Sequence, residues 1–266
     1  MYPELIHIGP ITVYSYGTMI AVAIVVAVAL VWRQAWREGI DREITLDFTL
    51  GLVFAGLVGS RVVYVVLNWR TYIADPLAII GIGAGGCAQQ GLTIHGGLLG
   101  GLVAGWLMAR HYRLGFWALA DLYARALAIA LGIGRIGCLL AGCCYGQLTD
   151  GSWGCPTVFA PGLRQPSQIY ETAMLLVLFI LLSRFMLSPR RRGQLFGLFV
   201  AGYGIARFAA EIYRESERVF AGFSLAQLVS MGLLAVGLAI FYTGRARPAV
   251  TPLPRPGAGQ SPTIIP

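Results

Sequence analysis

Tyr203, Arg207 and Glu211 are spaced four and four along one stretch of the chain. At about 3.6 residues per turn this spacing puts them on one stripe of a helix, drifting about 40° per step. On such a stripe Glu211 can hold the Arg207 guanidinium in place and leave its other donors for an anionic ligand. A second arginine, Arg135, sits among glycines in Gly132-Ile133-Gly134-Arg135-Ile136-Gly137-Cys138. Glycine permits close backbone approach and guanidinium forks onto two phosphate oxygens, so the segment suits phosphate chemistry. It is not a Walker loop, because the Lys and the Ser or Thr of that motif are missing, and a nucleotide is not expected. His95 opens the run His95-Gly96-Gly97. Its imidazole, with an unperturbed pKa of about 6.5, suits proton transfer near neutral pH. Blander readings stand beside these: an Arg–Glu pair that only locks helices together, glycines that only pack, and a hydrogen-bonded structural histidine.

The elements that position these residues are set by composition. The chain is 57% hydrophobic and only 12% charged, against about a quarter charged for a soluble domain. A water-facing globule is excluded, and an all-α polytopic membrane protein is expected. All 20 basic residues are Arg, the net charge is +8, and no nucleic-acid motif accompanies it. The charge therefore points to cytoplasmic loops and anionic lipid surfaces. Apolar stretches long enough to span a bilayer, about 20 residues each, fall near 13–32, 46–67, 92–109, 117–140, 168–187, 194–213 and 224–243. This predicts seven transmembrane helices. The short segment before the first carries no basic residue, so span one is expected to remain rather than act as a cleaved signal.

With the N-terminus outside, twelve arginines fall inside, four outside (Arg70, Arg164, Arg214, Arg218) and four within spans (Arg61, Arg125, Arg135, Arg207). The positive-inside rule then gives an N-out, C-in chain. A single transmembrane domain is expected over 1–243, and the Pro- and Gly-rich 244–266 reads as a disordered cytoplasmic tail. Asp121 and Arg125, four apart, are expected to pair on one helix face. In this topology Tyr16, Arg61, His95, Arg135, Gln168, Glu171, Tyr203, Arg207 and Glu211 all lie toward the outer leaflet. A transporter site would sit nearer the midplane.

The motifs Tyr16-Gly17, Arg61, His95-Gly96-Gly97, Gly134-Arg135-Ile136-Gly137, Gln165-Pro166-Ser167-Gln168-Ile169-Tyr170-Glu171 and Tyr203 to Arg207 to Glu211 occur together and in order. From about residue 8 to 243 the chain resembles the prolipoprotein diacylglyceryl transferase family. The resemblance implies a bacterial inner-membrane enzyme with its active site toward the outer leaflet. It would move the diacylglyceryl group of phosphatidylglycerol to the lipobox Cys thiol of a prolipoprotein and release glycerol-1-phosphate, with no cofactor and no metal. It further implies His95, Arg135, Arg207, Tyr203 and Glu211 as catalytic residues. Tyr16, Arg61, Gly97, Cys138, Gly146, Gln168 and Glu171 are implied as substrate-binding. The thiol needs a base, for which His95 is the candidate, and the leaving phosphate needs cations, which Arg135 and Arg207 supply.

The sequence departs from the family pattern after Gly137, where Cys138 and then Ala141-Gly142-Cys143-Cys144 replace the usual Asn and Asn-Gly-Glu. The five cysteines, Cys87, Cys138, Cys143, Cys144 and Cys155, all lie on the outer side of the expected topology, where an oxidising compartment permits a loop disulfide involving Cys155. The spacing of Cys138 to Cys143 and Cys144 matches no common zinc pattern. Two competitors remain at this level. A membrane thiol oxidoreductase would use the cysteines but lacks a CxxC motif, and a lipid or anion transporter would use the arginines as a filter.

Overall fold

The computed structural model describes residues 2–8, 11–38, 40–74, 79, 93–157, 159–187 and 191–244, without the side chains of 8, 11, 42, 71, 74, 94 and 95. Most of the tail expectation, and Cys87, fall outside the described residues. Among the described residues there are eight helices: α1 Ser15–Glu38, α2 Arg42–Leu67, α3 Trp69–Ala74, α4 Ile94–His111, α5 Phe116–Ala141, α6 Ser167–Phe185, α7 Gln194–Ile212 and α8 Leu225–Thr243. Three short antiparallel hairpins accompany them, β1 Glu4–Ile8 with β2 Ile11–Tyr14, β3 Cys155–Pro156 with β4 Leu163–Arg164, and β5 Arg218–Phe220 with β6 Phe223–Ser224. The fold is therefore mostly helical rather than purely so.

Among the described residues six helices, α1, α2, α5, α6, α7 and α8, are long and apolar enough to cross a membrane. The stretch near 92–109, expected as a seventh span, forms α4 but falls short of that mark. Its 18 residues include His95, Arg110, His111 and five glycines, which lower its average apolarity.

The residues group into two compact units, Ile40–Leu119 on one hand and Met1–Gly39 with Ala120–Pro266 on the other. In the first, α2 and α4 pack through backbone. A Cβ on Gly59 would strike the Gly96 carbonyl and lie 3.0 Å from the Gly100 Cα, and one on Gly100 would strike the Ala55 carbonyl. Small residues here allow the close approach that helix association in lipid requires. Thr93 caps α4 by accepting from the Gly96 N–H at 3.3 Å, and donates to the Ser60 carbonyl at 3.2 Å.

In the second unit, Ala124 and Ala128 of α5, Leu175, Leu178 and Leu182 of α6, and Leu195 and Phe199 of α7 form the buried apolar core. Helices α7 and α8 approach as closely as α2 and α4: a Cβ on Gly204 would lie 2.7 Å from the Ser230 carbonyl, and one on Gly197 would lie 2.7 Å from the Phe241 nitrogen. The start of α7 is capped from α5. Asp121, only 6% exposed, accepts from the Gly193 N–H at 2.7 Å and the Phe196 N–H at 2.8 Å. Arg125 donates to the Gln34 side-chain amide oxygen at 3.1 Å. Both residues thus bind groups on other helices, which the expectation of a simple pair along α5 did not include.

Candidate functional site

Arg135 lies near the end of α5 with its Nε 2.9 Å from Glu171 Oε1 in the first turns of α6. Arg207 lies on α7 with its Nη2 2.7 Å from Glu211 Oε2 one turn on. Both carboxylates are nearly closed off from solvent, with side chains 3% exposed, while both guanidiniums keep 18%. Each acid thus fixes one edge of its arginine. Glu211 is held in turn by Ser216, whose hydroxyl donates at 2.5 Å, and by Ser224, whose hydroxyl donates at 3.2 Å. Tyr203, one turn before Arg207, lies against Arg135 and within electrostatic reach of Glu171 and Arg207. The expected Tyr203–Arg207–Glu211 stripe is therefore real, and it meets the Arg135–Glu171 pair from α5 and α6.

Tyr16 of α1 faces the same place. A Cβ on Gly137 would lie 3.4 Å from its ring, and Arg135 and Cys138 act on it electrostatically. Among the described residues, Arg207 Nη1 and Gln168 Oε1 are buried without a hydrogen-bond partner. An unpaired buried polar atom costs about 1–3 kcal/mol, so these two mark where a ligand would be stabilised.

The loop after α5 closes over this ground. Gln168 donates to the Cys143 carbonyl at 2.6 Å, Ser167 to the Cys144 carbonyl at 2.9 Å and Thr157 to the Gly142 carbonyl at 2.7 Å. Cys144 takes a left-handed backbone, φ 63°, an uncommon conformation for a side-chain-bearing residue. Hydrogen bonds from the Cys138 and Cys143 thiols, and then the Arg214 and Arg135 cations, hold the Cys144 thiol below the ordinary thiol range. Gly146 is there to pack: a Cβ would strike the Tyr213 carbonyl and lie 2.8 Å from the Gln165 Cβ. Cys138, Cys143, Cys144 and Cys155 are all free thiols, so Cys155 forms no disulfide among the described residues.

Of the expected site residues, Tyr16, Arg135, Cys138, Gly146, Gln168, Glu171, Tyr203, Arg207 and Glu211 gather in the unit built on α1 and α5 to α8. The others belong to the α2–α4 unit. There Arg61 Nε donates to the Ile79 carbonyl at 2.9 Å, with its guanidinium 5.5 Å from the centre of the Tyr72 ring. A Cβ on Gly97 would lie 2.7 Å from the Ser60 hydroxyl. His95 is the second residue of α4, and its side chain lies outside the described residues. Sequence reasoning missed Ser216, Ser224 and Thr157, and it did not see Glu171 as the partner of Arg135. The available signal was numerical: two arginines and two acids expected at one depth in the membrane pair off.

Fold and site together define a polytopic helical membrane protein that holds two arginines, each braced by a buried acid, at one polar site. The family model for prolipoprotein diacylglyceryl transferase matches residues 3–243. A phosphatidylglycerol–prolipoprotein diacylglyceryl transferase of Xanthomonas oryzae pv. oryzae is 33% identical over 289 residues, covering 96% of this chain and 95% of that protein. One of the same description from Vibrio cholerae serotype O1 is 38% identical over 251 residues, covering 89% of each. The chain belongs to the prolipoprotein diacylglyceryl transferase family. It is a transferase of lipoprotein biosynthesis and a membrane protein with several spans.

Proposed function

We propose that the chain transfers the diacylglyceryl group of phosphatidylglycerol to the lipobox cysteine of a prolipoprotein, at the outer leaflet of a bacterial inner membrane. The sulfur attacks the glyceryl carbon that bears the phosphate. A C–S bond forms, the C–O bond breaks, and glycerol-1-phosphate leaves with the electron pair. The thiol proton goes to His95, which acts as base. Charge grows on the departing phosphate, and Arg135 and Arg207 offset it. Glu171 and Glu211 orient the two guanidiniums, and Tyr203 supports Arg135. Tyr16, Arg61, Gly97, Cys138, Gly146 and Gln168 are the substrate-binding residues of this reading, with Arg61 assigned to the lipid head group. The chain's own residues supply all of these groups.

The observation that carries this reading is the braced pair of arginines with Arg207 Nη1 buried and unpartnered among the described residues. A phosphate monoester has the charge and the oxygen count to satisfy it. The topology that fits is N-out, C-in, which puts the arginine-rich segments on the cytoplasmic face.

The test uses membranes holding the protein, labelled phosphatidylglycerol and a lipobox peptide. The expected products are a diacylglyceryl thioether and glycerol-1-phosphate from the parent, and neither from His95→Ala or Arg135→Ala. Absence of both products from folded parent protein overturns the reading and makes lipid or anion transport the next assay.

A further inference from the structure

Three thiols converge beside Arg135. Cys138 lies in the last turn of α5, Cys143 and Cys144 follow in the loop, and all three sulfurs lie within 4.8 Å of one another. Cys138 is 8% exposed and the other two are half-buried. The cluster is also held from outside. The Cys143 N–H bonds the Cys138 carbonyl at 3.1 Å. Gln168, Ser167 and Thr157 each clamp a carbonyl of the Gly142 to Cys144 loop. Four hydrogen bonds therefore hold the loop that carries two of the sulfurs toward the third.

We propose that Cys138, Cys143 and Cys144 form a three-thiolate site for a thiophilic metal ion, zinc, with the fourth position open to an incoming thiol. Zinc–sulfur bonds of about 2.3 Å in a tetrahedron set sulfurs about 3.8 Å apart, inside the 4.8 Å that encloses the three here. Soft thiolates select zinc over hard cations, and three protein ligands with one open position is the arrangement of a reactive rather than a structural zinc site. Sequence spacing conceals it, because the ligands come from a helix end and a left-handed turn rather than from a knuckle.

A disulfide is the competing fate of close thiols, but it consumes two sulfurs and leaves the third unexplained. Loading releases three protons to solvent, and a thiol entering the fourth position gives up one more, which His95 takes in the transfer reading. The resulting tetrathiolate carries two negative charges, and Arg135 and Arg214, the cations that act on Cys144, offset them. The fourth-position half of the proposal rests on the diacylglyceryl-transfer reading, in which the acceptor is a thiol: a coordinated thiol is deprotonated outright and so is poised to attack carbon. The metal half stands on the three cysteines alone.

The test begins with full-length protein extracted in detergent, with metal counted by mass spectrometry. One zinc per chain is expected in the parent and in Cys155→Ser, falling to a tenth or less in Cys138→Ser, Cys143→Ser and Cys144→Ser. Titration of zinc into chelator-stripped parent needs no substitution and should saturate at one equivalent. Cobalt(II) in the same site should give intense tetrahedral bands, and a cysteine lipobox peptide should shift the sulfur-to-cobalt charge transfer where its serine counterpart does not. Failure of the stripped parent to take up zinc, uptake of copper(I) in its place, or a disulfide among the three cysteines in the isolated protein overturns the metal site. Thioether formed at an undiminished rate by metal-free parent removes the fourth-position role and leaves diacylglyceryl transfer standing. No thioether from zinc-loaded parent whose cobalt form still responds to the peptide counts against the transfer reading instead.

Discussion

At the scale of single residues, the two arginines differ in what braces them. Arg207 is held by an acid on its own helix, and Arg135 by one on a neighbouring helix. Truncating Arg135 should lower turnover by about 10²–10³-fold, the usual effect of removing a donor aimed at developing charge. It also strands Glu171 in a buried position, which costs about 3–5 kcal/mol. The two effects separate in a double variant, Arg135→Met with Glu171→Leu. It should regain most of the thermal stability lost in Arg135→Ala, measured in detergent, and none of the turnover. If turnover returns with stability, the arginine only holds helices together. Arg207→Lys should fail as an isostere, with a fall in kcat/KM, because a point charge cannot replace a fork held by Glu211 through Nη2 while Nη1 is left for a ligand. The Tyr203–Arg207–Glu211 stripe was legible because i, i+4 geometry is local. The Arg135–Glu171 pair was not, because only the packing of α5 on α6 brings it about.

At the scale of elements, Asp121 links α5 to the first turn of α7 through two backbone N–H groups. A helix cap is worth about 1–2 kcal/mol, and here it also sets where α7, with Tyr203 and Arg207, begins. Asp121→Ala should lower the unfolding temperature and weaken activity, although the residue lies far along α5 from Arg135. An unchanged melting curve would show that the core leucines alone fix α7. The glycine contact between α2 and α4 admits no larger side chain, since a Cβ on Gly59 meets backbone rather than a movable side chain. Gly59→Leu should therefore separate the two helices and lower stability by more than the few tenths of a kcal/mol of an ordinary exposed substitution. Glycine packing was readable from the composition of 96–105; which helix it met was not.

At the scale of the whole molecule, the crossing number is the open quantity. A chain with its N-terminus outside and its C-terminus inside crosses an odd number of times. Six helices meet the length and apolarity of a span, so the N-out, C-in arrangement requires α4 to cross as well. Reporter fusions decide this. Alkaline phosphatase activity is expected after Arg70 and fluorescence from a cytoplasmic reporter after Arg113 and after Gly244. Equal phosphatase activity at Arg70 and Arg113 would leave α4 on one side and reverse the C-terminus.

By itself the sequence determined the membrane environment, nearly every helix and the motifs of the family. These follow from composition, from runs of about 20 apolar residues and from periodicity within one helix, all properties of neighbours along the chain. Only the tertiary structure decided which acid braces Arg135, that Asp121 caps another helix, and that Cys138 meets Cys143 and Cys144. Those contacts join separate helices or turn on one left-handed residue. A burial pattern repeating every 3.6 residues says which face of a helix is covered, but not what covers it.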